Sequence, residues 1–189
     1  RVSVMHMAVR RERSVDGLKA ALKKQDIRYI MEMDADFTHD PRYIQDFIKE
    51  AEYNDIVIGS RFVKGGSDTD RSFFRRFLSR AINYFIRKYL GIKIRDCTSG
   101  YRCFKRRVLE SIDLDSLVSS GPAILEEILY IACLKGYKIK EIPITWVGSD
   151  SPHLNPLAYL QILGEVFKIK WGMMTNRYDI RDEKLEYET

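Results

Sequence analysis

The chain has 189 residues, 45% of them apolar, with a net charge of +5 and a pI of about 9.0. That length suits one globular domain with a sizeable core, and no apolar run approaches the ~18 residues of a spanning helix, so the chain is not expected to cross a bilayer by itself. The basic balance favours anionic partners without choosing among nucleotide, lipid phosphate, membrane surface and nucleic acid.

In chain order, Val2 to Met7 alternates weakly and predicts a strand. Ser14 to Lys24 predicts a short helix, with Val15, Leu18 and Leu22 on one side and Ser14 as N-cap. Tyr29 to Met33 predicts the next strand, and Asp40-Pro41 the start of a helix bearing Ile44, Phe47, Ile48 and Ala51. Asp55 to Gly59 reads as a buried parallel strand. Ser72 to Leu90 is amphipathic, with a broad aromatic face, flanking arginines and Gly91 as its stop. A helix over Pro122 to Lys135, a strand over Lys138 to Val147 and a helix over Pro156 to Trp171 complete the series. Pro143 inside the strand predicts an edge or a bulge. Strand–helix alternation argues for an α/β fold with a mostly parallel sheet flanked by helices. Residues 1–175 are expected to form one domain, and 176–189 a charged tail.

No signal peptide opens the chain. The three cysteines, Cys97, Cys103 and Cys133, are odd in number and lack metal-ligand spacing, which predicts free core thiols in a reducing, cytoplasmic setting. No helix-turn-helix, zinc, RRM or KH signature supports a nucleic-acid partner.

Three segments carry chemistry. In Met33 to Pro41, Asp34 and Asp36 stand one residue apart at a strand end. They would project into the crevice where open α/β sheets bind ligands, and such a pair suits a hard cation held together with a diphosphate. Thr38 adds a hydroxyl; His39 either lines the site or is a hydrogen-bonded structural histidine; Asp40 reads as a helix cap. In Gly59 to Gly66, Arg61 would emerge at the same sheet edge if the two strands are neighbours, and its planar fork suits phosphate. Gly65-Gly66 makes the loop mobile or tightly turned. Asp96-Cys97-Thr98-Ser99-Gly100-Tyr101-Arg102 alone would read as a turn.

With Arg75 to Arg80 and Glu141 to Ile144, these segments resemble, in order, those of family 2 (GT-A) glycosyltransferases, and specifically the polyprenyl-phosphate (dolichol-phosphate) mannosyltransferases. The resemblance implies a GT-A, Rossmann-like fold and an inverting transfer of a sugar, usually mannose from GDP-mannose, to a polyprenyl or dolichyl phosphate. It implies Mg²⁺ or Mn²⁺ held by Asp34, Asp36 and Thr38. It places Asp36, Arg61 and Glu127 in the catalytic group. It places Asp34, Ala35, Asp36, Arg61, Arg76, Arg80, Arg102 and His153 against the substrates. The implied setting is peripheral, at the cytoplasmic face of a membrane, as a homo-oligomer or with a membrane subunit. The helices over 72–90 and 156–171 suit an interfacial position, or simply pack against the sheet or a partner chain.

The sequence departs from the family in four ways. Tyr101 stands where phenylalanine is usual, and the segment before Glu127 lacks its tyrosine, phenylalanine and glutamine. The loop over 148–155 has no arginine. The Pro-x-Tyr-Asn-Glu and Asp-Asp-x-Ser strands that hold the nucleotide are not found, which predicts a chain lacking that half. Two alternatives stay open: a glucosyl or other hexosyl transferase for the same lipid acceptor, and a non-catalytic, membrane-associated remnant or accessory subunit.

Overall fold

The computed structural model describes residues 2–6, 11–34, 38–68, 72–121, 123–147 and 156–178. The elements are β1 (Val2–His6), α1 (Arg11–Leu22), β2 (Tyr29–Met33), α2 (Ile44–Ala51), β3 (Ile56–Ser60), α3 (Phe73–Leu90), β4 (Arg102–Lys105), α4 (Arg106–Glu110), α5 (Ala123–Leu134), β5 (Ile139–Pro143) and α6 (Pro156–Met174). The predicted helix at Pro41 begins as one 3-10 turn, Pro41–Tyr43, before α2, a frequent form of a helix N-terminus. Asp40 caps that turn by accepting from the Arg42 amide.

The five strands lie in the order β1-β2-β4-β3-β5. β1 and β2 are parallel, as are β3 and β5, while β4 runs antiparallel to both β2 and β3. The sheet is therefore mixed, four strands running one way and β4 the other, and β2 and β3 are separated by β4, a strand that no period in the sequence announces. β5 is an edge strand, where Pro143 can end the ladder without orphaning a neighbour.

β2, β3 and β4 alternate their side chains between two buried faces. Tyr29, Met31, Val57, Cys103 and Ile142 pack with Phe47 and Ala51 of α2 on one face. Ile30, Ile56, Ile58 and Phe104 face the other way, into a larger core built by α1, α3, α5 and α6. α3 buries Ile82, Asn83, Ile86 and Leu90 and stops at Gly91, whose φ of 75° is left-handed and suits glycine. The loop after β3 folds back on itself. A side chain at Gly66 would collide with the Ser60 carbonyl oxygen, and the Ser67 amide donates to the Ile144 carbonyl at 2.9 Å. Of the two readings of Gly65-Gly66, the tight turn holds. Cys97 and Cys103 are buried and Cys133 is partly so, all three free.

Candidate active site

Because β2 and β3 are parallel to each other, their carboxyl ends share one edge of the sheet. β4 runs the opposite way, so the loop before it, 96–101, lies at that same edge. The three sequence segments thus converge although their strands are not all neighbours.

Asp34 follows β2, its side chain 31% exposed. Its backbone amide donates to His39 Nδ1 at 2.9 Å, and its Oδ2 lies 3.8 Å from His39 Nε2. His39 is buried and stacks on Tyr101, ring centroids 4.7 Å apart. The Tyr101 hydroxyl, which a phenylalanine would lack, donates to the Asp40 carbonyl at 3.1 Å. Histidine and tyrosine together tie Asp34 to the segment at 38–40. Thr38 is buried beside His39. Ala35 and Asp36 lie outside the described residues.

Arg61, only 8% exposed, is held by Asp96. Nε donates to Oδ2 at 2.8 Å, Nη2 to Oδ1 at 2.7 Å, and the Arg61 amide to Oδ2 at 3.0 Å. Burial works against the guanidinium's charge, but attraction and hydrogen bonds from Asp96 outweigh it and hold its pKa above the ordinary value. Thr98 Oγ1 accepts from Arg61 Nη2 at 3.2 Å and from Asn83 Nδ2 of α3 at 2.8 Å. The far side of Asp96 is also fixed. Its amide and that of Arg95 donate to the Glu141 carboxylate of β5 at 2.9 and 2.8 Å. The sequence presents Asp96 and Glu141 inside the family-like segments, but nothing in spacing says that they grip Arg61 in series. The exposed Arg80 also reaches this edge: its guanidinium lies 5.8 Å from the Phe62 ring, and that of Arg61 lies 5.0 Å from it. Arg76 is half-buried in the first turn of α3.

Two expected roles meet a different environment. Arg102 is fully buried and spends its guanidinium on the carbonyls of Cys97, Ser99 and Leu125. It is a brace beneath the site and offers no open face to a substrate. Glu127 is fully buried as well, accepting from the amides of Val118 and Ser119, both at 2.8 Å, from the Ser119 hydroxyl and from the Tyr178 hydroxyl at 2.6 Å. Its geometry is that of a clasp between α5, the preceding loop and the segment just after α6. His153 lies outside the described residues, as does most of the charged tail.

Beneath the edge lie two more buried acids. Burial pushes the Glu32 carboxyl up to about 7 against the attraction of Arg102, with Asp34 adding to the rise. Burial does the same to Glu126, again to about 7 and again opposed by Arg102. Neither Glu32 oxygen has a hydrogen-bond partner among the described residues.

Among the described residues no group of three or more histidine, cysteine, aspartate or glutamate side chains gathers as a metal cage. A Mg²⁺ or Mn²⁺ ion that takes most of its ligands from a diphosphate and water needs only one or two carboxylates. The partly exposed Asp34 at the sheet edge fits that demand.

The model of glycosyl transferase family 2 matches residues 1–113. Polyprenol monophosphomannose synthase of Mycolicibacterium smegmatis is 32% identical over 182 residues, 92% of this chain and 66% of the relative. Undecaprenyl-phosphate mannosyltransferase of Micrococcus luteus is 35% identical over 121 residues, 64% of this chain and 50% of the relative. The chain thus spans one half to just under two thirds of the length of these relatives. Among solved structures, glucosyl-3-phosphoglycerate synthase from Mycobacterium tuberculosis, in complex with Mn²⁺, UDP-glucose and phosphoglyceric acid, has a TM-score of 0.57 at 15% identity. The match covers 84% of this chain and 59% of that one. At that identity the likeness is one of fold, GT-A in type.

Proposed function

Because the chain belongs to glycosyltransferase family 2, we propose that it moves a sugar, mannose from GDP-mannose, onto the phosphate of a polyprenyl or dolichyl lipid, inverting the anomeric carbon. One observation carries the reading: β2, β3 and the loop before β4 deliver Asp34, Arg61 and Asp96 to a single sheet edge. The names of the two relatives support mannose and a polyprenyl acceptor.

The chemistry asks for charge placement more than for a base. The acceptor phosphate is already anionic near neutral pH, and the leaving group is a nucleoside diphosphate whose charge grows as the bond to sugar breaks. A bound Mg²⁺ or Mn²⁺ would supply neutralisation of that diphosphate. Asp34 and Asp36 would hold the ion, with the Thr38 hydroxyl as a further ligand. Asp96 fixes Arg61, so the guanidinium meets an anion without first being ordered, which is how positioning lowers a barrier. Arg80 adds an exposed cation at the rim. Glu127 takes the role of strut in this scheme.

The protein would work peripherally at the cytoplasmic face of a membrane; among the described residues no helix is long and apolar enough to cross one. The full chain, given GDP-mannose, a polyprenyl phosphate and Mg²⁺, should release GDP, and Asp36→Asn should abolish release while leaving the circular dichroism unchanged. Normal turnover in that variant would remove Asp36 from the mechanism. Release of UDP from UDP-glucose instead would assign a glucosyl transferase. Lipid binding with no nucleotide release would assign an accessory subunit.

A further inference from the structure

α3 turns one amide toward the core among its aliphatic residues. Asn83 is 2% exposed and lies on the buried side of the helix with Ile82, Ile86 and Leu90. Asparagine is a poorer helix former than leucine, and burying its amide is costly unless each polar atom finds a partner. Both polar atoms are engaged. Nδ2 donates to the Ser79 carbonyl at 3.1 Å and to Thr98 Oγ1 at 2.8 Å, and Oδ1 accepts from Cys97 Sγ at 3.1 Å. Burial raises the pKa of the Cys97 thiol, so its proton stays available for that contact. The opposite amide orientation would set Oδ1 against the Ser79 carbonyl with no proton between them, so the side chain has one way round.

Thr98 passes this constraint to Arg61. One lone pair of its hydroxyl takes Asn83 Nδ2 and the other takes Arg61 Nη2, which leaves the hydroxyl proton for Asp96 Oδ1, 3.4 Å away. Asp96 accounts for Arg61 Nε and for the other proton of Nη2. Of the guanidinium donors, the pair on Nη1 is what the described residues leave for a ligand. Arg80, three residues before Asn83 on the same helix, brings its own guanidinium to the ring of Phe62, as Arg61 does. The amide therefore ties the helix that carries one cation to the loop that holds the other.

We propose that Asn83 is a positioning residue of the transferase site: by fixing the Thr98 hydroxyl against Nη2, it sets which face of the Arg61 guanidinium meets the substrate phosphate. The inference rests on the reading of Arg61 as a phosphate-binding cation, and one arm of its test needs no substrate. In the full chain carrying isotope-labelled arginine, the Nε–H signal of Arg61, assigned by its loss in Arg61→Lys, should exchange slowly with water. Asn83→Leu, which removes the amide and keeps a core-sized side chain, should speed that exchange about fivefold, the factor that one neutral hydrogen bond is worth. Asn83→Ser, which can still bond the Ser79 carbonyl but is too short to reach Thr98, should do the same. Ile86→Val, on the same side of α3, loosens packing alone and should leave the signal where it is.

The second arm is turnover with GDP-mannose, a polyprenyl phosphate and Mg²⁺. Asn83→Leu should lower kcat about tenfold and leave KM for the donor within about twofold of the parent, the split expected when charge placement in the transition state is lost. Thr98→Ser keeps the hydroxyl and should restore most of the activity that Thr98→Val loses. The Asn83→Leu/Thr98→Val double variant should be little worse than Thr98→Val, because one residue acts through the other. An Arg61 signal unmoved in both Asn83 variants, with only the melting temperature lowered, would make Asn83 a packing residue and overturn the proposal. Losses that multiply in the double variant would overturn it as well. A parent that releases no GDP would count against the transferase reading, and the exchange arm would still decide the role of Asn83.

Discussion

At the scale of single residues, the site is organised by a pair that the sequence shows only as two separate letters. Asp-x-Asp at a strand end and an arginine after the next strand are visible in the chain. That the arginine is taken side-on by Asp96, 35 positions away, is not, because hydrogen-bond partners depend on how strands are shuffled. The pair is buried on both sides, so breaking it should be costly. Asp96→Asn leaves the guanidinium in place and removes its counter-charge, and breaking buried pairs in this way typically costs roughly 3–5 kcal/mol. Urea unfolding of the variant should show a correspondingly lowered midpoint with an unchanged slope. A wild-type midpoint would mean that Arg61 and Asp96 are not paired in solution. Arg102 shows the opposite side of residue-level reading. It lies in a segment that resembles substrate-binding sequence, but its donors go to three backbone carbonyls. A motif fixes where a residue is placed in the chain, whereas burial decides what remains for a ligand.

At the scale of elements, most helices and strands were legible because one side of each is apolar and the period shows. α2, α3 and the parallel strands fall within a few residues of expectation, and Gly91 ends α3 as read. β4 and α4 were missed for a physical reason. β4 is four residues long and buried on both faces, with Arg102 and Phe104 toward one core and Cys103 toward the other, so no polar alternation marks it. Its antiparallel course is nonetheless what brings the 96–101 loop to the ligand-binding edge. α5 carries a different kind of hidden feature, a buried Glu126 beside Arg102 and near Asp96. Burial raises its pKa from 4.5 to about 7, with Arg102 opposing the rise. The folded state therefore keeps a proton that the unfolded state gives up. Stability is greatest below the unfolded value, falls as pH climbs from there to about 7, and is then level as far as this group is concerned. The span corresponds to a loss on the order of 3 kcal/mol. Glu126→Gln should flatten this slope and leave the variant more stable than the parent at about pH 8. Urea titrations at the two ends of the range decide it; parallel pH profiles for parent and variant would show that Glu126 is not protonated in the fold.

At the scale of the whole molecule, stability and metal dependence should separate. The two cores flank the sheet, and the larger is closed by side-chain clasps: Glu127 with Tyr178 joins α5 to the segment just after α6, and Glu165 with Ser120 ties α6 to the loop before α5. None of these links passes through the Asp34 edge. A cation there would rest on one or two carboxylates until a diphosphate arrives, so its affinity for the empty protein should be low. Binding stabilises a fold only by RT ln(1 + [L]/Kd), which for ligand near its dissociation constant is well under about 1 kcal/mol, or less than roughly 2–4 °C in a domain of this size. A chelator should therefore stop GDP release while barely moving the melting temperature. By the same linkage, metal and GDP-mannose added together should raise the melting temperature by more than the sum of either alone, because each supplies part of the other's site. Differential scanning calorimetry over the four combinations tests this directly. A large fall in melting temperature on chelation without nucleotide would make the metal a structural element and shift the reading of Asp34 from catalysis to folding.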